Sequence, residues 1–428
     1  MRVVYIAAGA GGMYCGSCLR DNRLAAALLA AGRDIALIPT YTPLRTDTPN
    51  VSRDRVYYGG VNVFLQQHSA VCRHLPRWLN RLLDAPALLR AAGRLAGATT
   101  PNATLGALTV SILAGEHGRQ RVELRKLVVA LRNLAPDVVN LPNLMFLGLA
   151  PAIRDALGVP VVCTLSGEDV FLDALPEPYR RRAFALIRQH ATVADGFIAL
   201  TRYYAAHAAA HFELPRDRID VVPLGVPIHD APTPGPATAA APFTIGYLAR
   251  ICHEKGLHIL ADAVLRLRRA GRNCRVDVAG YVGRHDRRYL DDITAQVDAG
   301  ALRYEGEVDI MGKRTFLSRL DVLSVPTVYP ESKGLYVLEA LAAGVPVVQP
   351  RHGSFPELVD ATGGGLLCAP NDPADLADTL ARLMDDEPLR RRLADAGQAA
   401  VHERFTDTIM AERTWALYER YHDRPRMP

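Results

Sequence analysis

Short runs of β-branched and apolar residues recur along this chain, each followed by a stretch of helix formers, and the rhythm halts once and then restarts. Strands that alternate with helices need crossover connections, so they build parallel sheets covered by helices rather than sandwiches or bundles. In the first half the pattern predicts strands over Arg2 to Ala7, Asp34 to Pro39, Val61 to Leu65, Asp137 to Leu141, Val159 to Thr164, Gly196 to Leu200 and Asp220 to Pro223, with a largely helical stretch from Arg73 to Leu134. The stretch PTPGPATAAAP, Pro232 to Pro242, is too rich in proline for a ladder and reads as a linker. Beyond it strands are predicted over Phe243 to Leu248, Arg275 to Ala279, Leu302 to Tyr304, Val322 to Val325, Val345 to Val348 and Gly365 to Cys368. Two α/β domains are expected, residues 1–228 and 243–405, joined by a linker over 229–242 and followed by a terminal segment, 406–428. That segment carries Ile409, Met410, Trp415, Leu417, Tyr418 and Tyr421 at amphipathic spacing.

A length of 428 residues suits more than one domain, and nearly half of them are apolar, enough for large cores. A net charge of +5 is mild for this size and gives no sign of a nucleic-acid partner. Seven cysteines without an even framework of short spacings fit a reduced, cytoplasmic protein. The opening MRVVYIAAGAGG enters an apolar strand directly and has no signal-peptide block, and no run approaches the roughly 18 apolar residues of a membrane span. Arg73 to Leu95 combines Trp78 and several leucines with Arg73, Arg77, Arg81, Arg90 and Arg94. Such a basic amphipathic helix packs on its own core or docks peripherally on an anionic membrane face.

The densest chemistry lies in PTVYPESKGLYVLEALAAGVPVVQPRHGSFPEL, Pro326 to Leu358. A helix is expected to begin near Gly334, because Leu335 to Ala343 is rich in helix formers. Its first N–H groups are unpaired and carry the positive end of the helix dipole, so Gly334 and Leu335 can receive a phosphate where no side chain blocks the approach. Glu339, just over one turn inside, is placed for ribose hydroxyls, and Glu331 in the preceding loop for a group beyond the phosphates.

This stretch resembles the Glu-x7-Glu signature of the retaining nucleotide-sugar glycosyltransferases of family 4, with GSFPEL in the place of their Gly-x-x-Pro-Glu turn. The resemblance implies the GT-B fold, two Rossmann-like domains with parallel sheets facing across a cleft, the acceptor side in the first and the nucleotide sugar on the second. It further implies a terminal helix that crosses back to the first domain. In GYLARICHEKGL, Arg250 and Lys255 match the family's basic pair, two fixed cations that would stabilise a leaving diphosphate without a metal. No cofactor is expected, and no Asp-x-Asp triplet is present. The GAGG loop at Gly9 to Gly12 fails the strict GxGxxG spacing, and the resemblance makes Gly12 a donor contact. The nearby Cys15 and Cys18 supply only two ligands and read as packing residues.

In VVCTLSGEDVFLDAL, Ser166 stands where the family has a histidine, with Glu168 and Asp169 as acceptors toward a sugar or an acceptor hydroxyl, or as a capping pair. The expected function is transfer of a sugar to a hydroxyl of a glycan, lipid or small molecule. Two alternatives stay open, a sugar-nucleotide binding protein and a nucleotide-sugar epimerase or hydrolase. Ser166 and Lys333, the latter at a usually apolar position, motivate the first.

Overall fold

The computed structural model describes residues 1–9, 15–69, 102–228, 242–298 and 300–424. It divides into two compact units, Met1–Pro223 with Thr408–Pro428, and Leu224–Asp407. Gly12, the basic stretch from Arg73 to Leu95 and residues 229–241 of the linker lie outside the described residues. Among the described residues no helix is long and apolar enough to cross a membrane.

The first unit holds a parallel sheet of seven strands, β1 (Arg2–Ala7), β2 (Asp34–Tyr41), β3 (Tyr57–Gly59), β4 (Val138–Leu141), β5 (Val161–Thr164), β6 (Gly196–Ala199) and β7 (Ile219–Val221), in the order β3-β2-β1-β4-β5-β6-β7. Side chains alternate across it. Val4 and Ile6 enter one core with Ile38, Val139 and Phe197, while Val3, Tyr5 and Ala7 enter another with Leu37, Val138 and Val162. Both faces are covered, which is why these strands read as continuous apolar runs.

The terminal helix, Asp407–Asp423, covers the second face: Met410, Trp415, Leu417, Tyr418 and Tyr421 are buried in that core. The Tyr418 hydroxyl donates to Asn140 Oδ1 at 3.2 Å, and the Tyr421 hydroxyl to Asp220 Oδ2 at 2.6 Å. Gly196 has to be a glycine for this packing, since a Cβ there would sit 1.9 Å from the Tyr421 hydroxyl. Cys18 belongs to the same core and Cys15 packs against it, both as free thiols.

One predicted strand is corrected. Val61 to Leu65 lies in a helix, Gly60–His68, while Tyr57–Gly59 takes the sheet edge beside β2. The apolar run is misleading because the helix buries Asn62, Val63, Gln66 and Gln67 and turns Phe64 outward. Its buried face is mostly amide, with Gln66 donating to Glu123 Oε1 at 2.7 Å and Gln120 to Gln67 Oε1 at 3.1 Å.

The second unit holds six parallel strands, β8 (Phe243–Leu248), β9 (Cys274–Ala279), β10 (Leu302–Tyr304), β11 (Val322–Leu323), β12 (Val347–Pro350) and β13 (Gly365–Cys368), in the order β10-β9-β8-β11-β12-β13. The order reverses between β8 and β11, which pair directly. Ligands of open α/β sheets bind beyond the carboxyl ends of the strands at such a switch point, and here those ends lead into the Arg250–Lys255 turn and the Ser324–Gly334 loop.

Because the terminal helix closes a core face, Tyr418→Ala should destabilise the first unit by about 3 to 5 kcal/mol. Tyr418→Phe should lose only the bond to Asn140, about 1 kcal/mol. Urea unfolding of both variants, followed by Trp415 fluorescence, measures the difference.

Candidate functional site

The turn after β8 is pressed onto the loop after β11. Gly256 has φ +72°, and a Cβ there would lie 1.8 Å from the Pro326 carbonyl oxygen. Val328 N–H donates to the Glu254 carbonyl at 2.9 Å, locking the two segments together. This contact delivers Lys255 to Glu331: Nζ lies 2.5 Å from Oε2 and 2.7 Å from the Tyr329 hydroxyl. The ammonium also sits 5.1 Å and 5.5 Å from the ring centroids of Tyr329 and Tyr336, within cation–π range.

Glu331 is 4 % exposed. Its Oε2 also accepts from the hydroxyls of Tyr329, at 3.2 Å, and Tyr336, at 3.3 Å. Oε1 accepts from the backbone N–H groups of Ser332 and Lys333 at 3.1 and 3.3 Å. Burial, the largest influence, would raise this carboxyl, yet the charge and hydrogen bond of Lys255 together with Lys333 outweigh it and hold the group down at about 2. Burial likewise works against the Lys255 ammonium, and Glu331 reverses that, keeping it above the ordinary lysine range.

The GSFPEL segment supports the same carboxylate from behind. Gly353 has φ +60°, and a Cβ there would meet Glu331 N at 2.4 Å and Glu331 O at 2.5 Å, while Ser354 N–H donates to that carbonyl at 2.7 Å. Beyond the loop, Gly334, at φ +69° and with no side chain of its own, is the N-cap of the Leu335–Ala342 helix.

Sequence spacing places Glu331 and Glu339 at one helix start, and the structure gives each its own lysine. Glu339 Oε1 lies 2.8 Å from Lys313 Nζ, with side-chain exposures of 10 % and 11 %. Lys313 was not anticipated; it stands beside Arg314 in the helix Ile310–Leu317, and the sequence does not mark which of the two is buried. Arg250 is exposed, and its Nε and Nη2 each lie 3.4 Å from Cys252 Sγ. The Tyr247 hydroxyl lies 3.4 Å from the Arg250 carbonyl and 3.3 Å from that of Lys255, bracing both ends of the turn.

Ser166, Glu168 and Asp169 form a separate cluster in the first unit. Ser166 Oγ accepts from Arg20 Nη1 at 3.0 Å and donates to the Pro142 carbonyl at 3.2 Å. Glu168, 4 % exposed, accepts from Leu144 N–H, Ser166 N–H and the Tyr204 hydroxyl at 3.1, 2.9 and 3.0 Å. Burial pushes its carboxyl up from the usual range despite these bonds. Asp169 meets the Tyr204 hydroxyl at 3.0 Å and His207 Nε2 at 3.2 Å. Burial would raise Asp169, but His207 and the Tyr204 hydroxyl together outweigh it and hold the carboxyl below its ordinary value. Arg20 supplies a cation beside Ser166 that the spacing of VVCTLSGEDVFLDAL does not disclose.

Residues 236–400 match the family model for glycosyl transferases group 1, and residues 106–230 that for glycosyltransferase family 4. A D-inositol 3-phosphate glycosyltransferase of Arthrobacter sp. is 31% identical over 295 residues, 63% of this chain and 68% of that protein. The glycogen synthase of Mycobacterium tuberculosis is 27% identical over 309 residues, 72% of this chain and 74% of that protein. Among solved structures, Anabaena HepE in complex with UDP superposes with a TM-score of 0.67 at 17% identity, over 98% of this chain and 100% of that one. The fold shared with that structure is GT-B, an α/β architecture of two Rossmann-like domains.

Gly353→Ala should displace Glu331 through its backbone and lower kcat/KM on the order of 100-fold, the scale of an ångström-sized misplacement. Steady-state kinetics beside a thermal melt checks it. The Lys255–Glu331 pair also has a pH signature. A carboxyl lowered from 4.5 to about 2 contributes stability that is fully present above 4.5 and lost as pH falls toward 2. Lys255→Met should therefore move the acid loss of stability to higher pH, read as urea midpoints between about pH 3 and 7.

Proposed function

Because this chain belongs to the family 4 glycosyltransferases of GT-B type, we propose that it moves a sugar from a nucleoside diphosphate to an acceptor hydroxyl, with retention of configuration and without a metal. The observation that carries this reading is the Lys255–Glu331 pair, set beside a glycine-capped helix start and an exposed arginine at the switch point of the second sheet. The diphosphate sits on the N–H groups of Gly334 and Leu335. Arg250 and the ammonium hydrogen of Lys255 not directed at Glu331 or Tyr329 stabilise it as the glycosidic bond breaks and its charge grows. The sugar C1–O bond to phosphate breaks, the acceptor oxygen bonds C1, and the acceptor proton passes to the leaving diphosphate.

Glu331 reaches the sugar hydroxyls when a tyrosine hydroxyl, held at 3.2 or 3.3 Å, rotates away from Oε2. Glu339 holds the ribose. The resemblance assigns Gly12 to the donor and Ser166 and Asp169 to the sugar or acceptor, and Glu168, closed inside the first unit, supports the latter two. The UDP in the Anabaena structure supports a nucleoside-diphosphate donor. Relatives named for glycogen and for D-inositol 3-phosphate support a carbohydrate or polyol hydroxyl as the acceptor.

Incubation with UDP-, GDP- and ADP-sugars, with and without glycan, polyol and lipid acceptors, tests the reading. Diphosphate release that needs acceptor, with the donor's anomeric configuration kept in the product by NMR, supports it. Release without acceptor indicates a hydrolase, and an inverted product removes retention. Arg250→Ala should lose roughly 100- to 1,000-fold in kcat with an unchanged melting temperature. Activity should survive excess chelator, and loss restored by manganese would contradict the metal-free mechanism.

A further inference from the structure

Lys313 has no part in the assignments so far, and its position is physically unfavourable unless something compensates it. It lies one turn into the Ile310–Leu317 helix, whose start is capped by Asp309 accepting from Gly312 N–H at 2.8 Å. A lysine there sits near the positive end of the helix dipole. It is also buried, 9 % exposed, which strips most of the water from its ammonium. Glu339, at 2.8 Å, supplies a compensating charge.

The relation runs both ways. Glu339 projects from the Leu335–Ala342 helix with a side chain 10 % exposed. A carboxylate so far from water needs a nearby cation to remain charged and to keep one rotamer. Lys313 supplies both from a different helix, by meeting Oε1.

We propose that Lys313 is a positioning residue for ribose recognition: it fixes the Glu339 carboxylate, so that the donor's ribose hydroxyls meet a charged acceptor already oriented. This rests on the assignment of Glu339 to the ribose. Neutralising Glu339 inside the protein also lets an anionic diphosphate approach a glutamate without mutual repulsion. The chemical class selected is a ribonucleoside diphosphate over one whose sugar lacks its hydroxyls.

The test is calorimetry with whichever of UDP, GDP and ADP binds the wild-type chain most tightly, and with the 2′,3′-dideoxy form of the same nucleotide. Wild type should prefer the ribonucleotide. Lys313→Met should weaken ribonucleotide binding at least tenfold more than binding of the dideoxy form, which loses only what the bare Glu339 charge costs its diphosphate, so the preference collapses, while Lys313→Arg keeps most of it. A residue that only stabilises the fold would weaken both ligands alike. The double variant Lys313→Met/Glu339→Gln removes both charges, leaves no unpaired buried ion, and should bind no worse than Glu339→Gln alone.

A wild-type preference in Lys313→Met, with Glu339→Gln impaired, overturns the role of Lys313 and leaves the ribose assignment standing. An unimpaired Glu339→Gln, or no nucleoside-diphosphate binding by wild type, overturns the ribose assignment and this inference with it. Additive losses in the double variant overturn action through Glu339.

Discussion

The Lys255–Glu331 contact is the interaction on which the second unit's site depends. Two charges removed from water lose several kcal/mol of hydration each, and their attraction recovers this only when geometry and additional hydrogen bonds are good. Here both conditions hold. The carboxylate collects the lysine, two tyrosine hydroxyls and two backbone N–H groups, so no lone pair is left to an apolar wall. Deleting either charge would strand the other, which typically costs about 3 to 5 kcal/mol. The pair is therefore rigid because it is buried, and a rigid cation is what a leaving diphosphate can use without reorganisation.

Backbone shape makes that pairing reachable. Gly256 and Gly353 stand at positive φ, each where a side chain would collide with the opposing backbone. The first brings the β8 turn onto Pro326, and the second brings the β12 loop onto Glu331. The site is thus a meeting of three loops at strand ends, with the chemistry on one of them and the steric licence on the other two. The first unit follows a different logic. Arg20 is buried against Asp21 and Tyr5, and through Ser166 it reaches the loop after β5. Tyr5 lies 3.3 Å from Thr164, and Asn140 joins Thr164 to Tyr418 of the terminal helix. Polar groups there are closed on one another, which stiffens the end of the sheet without leaving Glu168 open to a substrate.

Local spacing carried much of this. Gly334 before a run of helix formers marks the helix start, and most strands of both sheets follow from β-branched runs, because burial on both faces favours apolar side chains. What spacing could not carry is contact between distant segments. Lys255 and Glu331, 76 residues apart, read as a phosphate ligand and a sugar ligand, and nothing in either motif indicates that they bond to each other. Ser166 and Arg20 are 146 residues apart. Val61 to Leu65 failed for the opposite reason. Its composition suits a strand, but tertiary partners for Gln66 and Gln67 lie on the helical face, and a network of amides outweighed local propensity.

The two lysines have a joint electrostatic consequence. In the proposed site a donor diphosphate would bring net negative charge to a helix that carries one glutamate just before its start and another just inside it. With both carboxylates bare, their repulsion would oppose the helix dipole, which amounts to about half a positive charge at that end. Lys255 cancels the first and Lys313 the second, at 2.5 and 2.8 Å, so at phosphate distance each pair acts as a small dipole rather than a charge. The field at the helix start then takes its sign from the N–H groups and from Arg250. In the proposed site, two glutamates would thus contribute oriented oxygen acceptors to a sugar nucleotide while withholding the charge that would repel its phosphates.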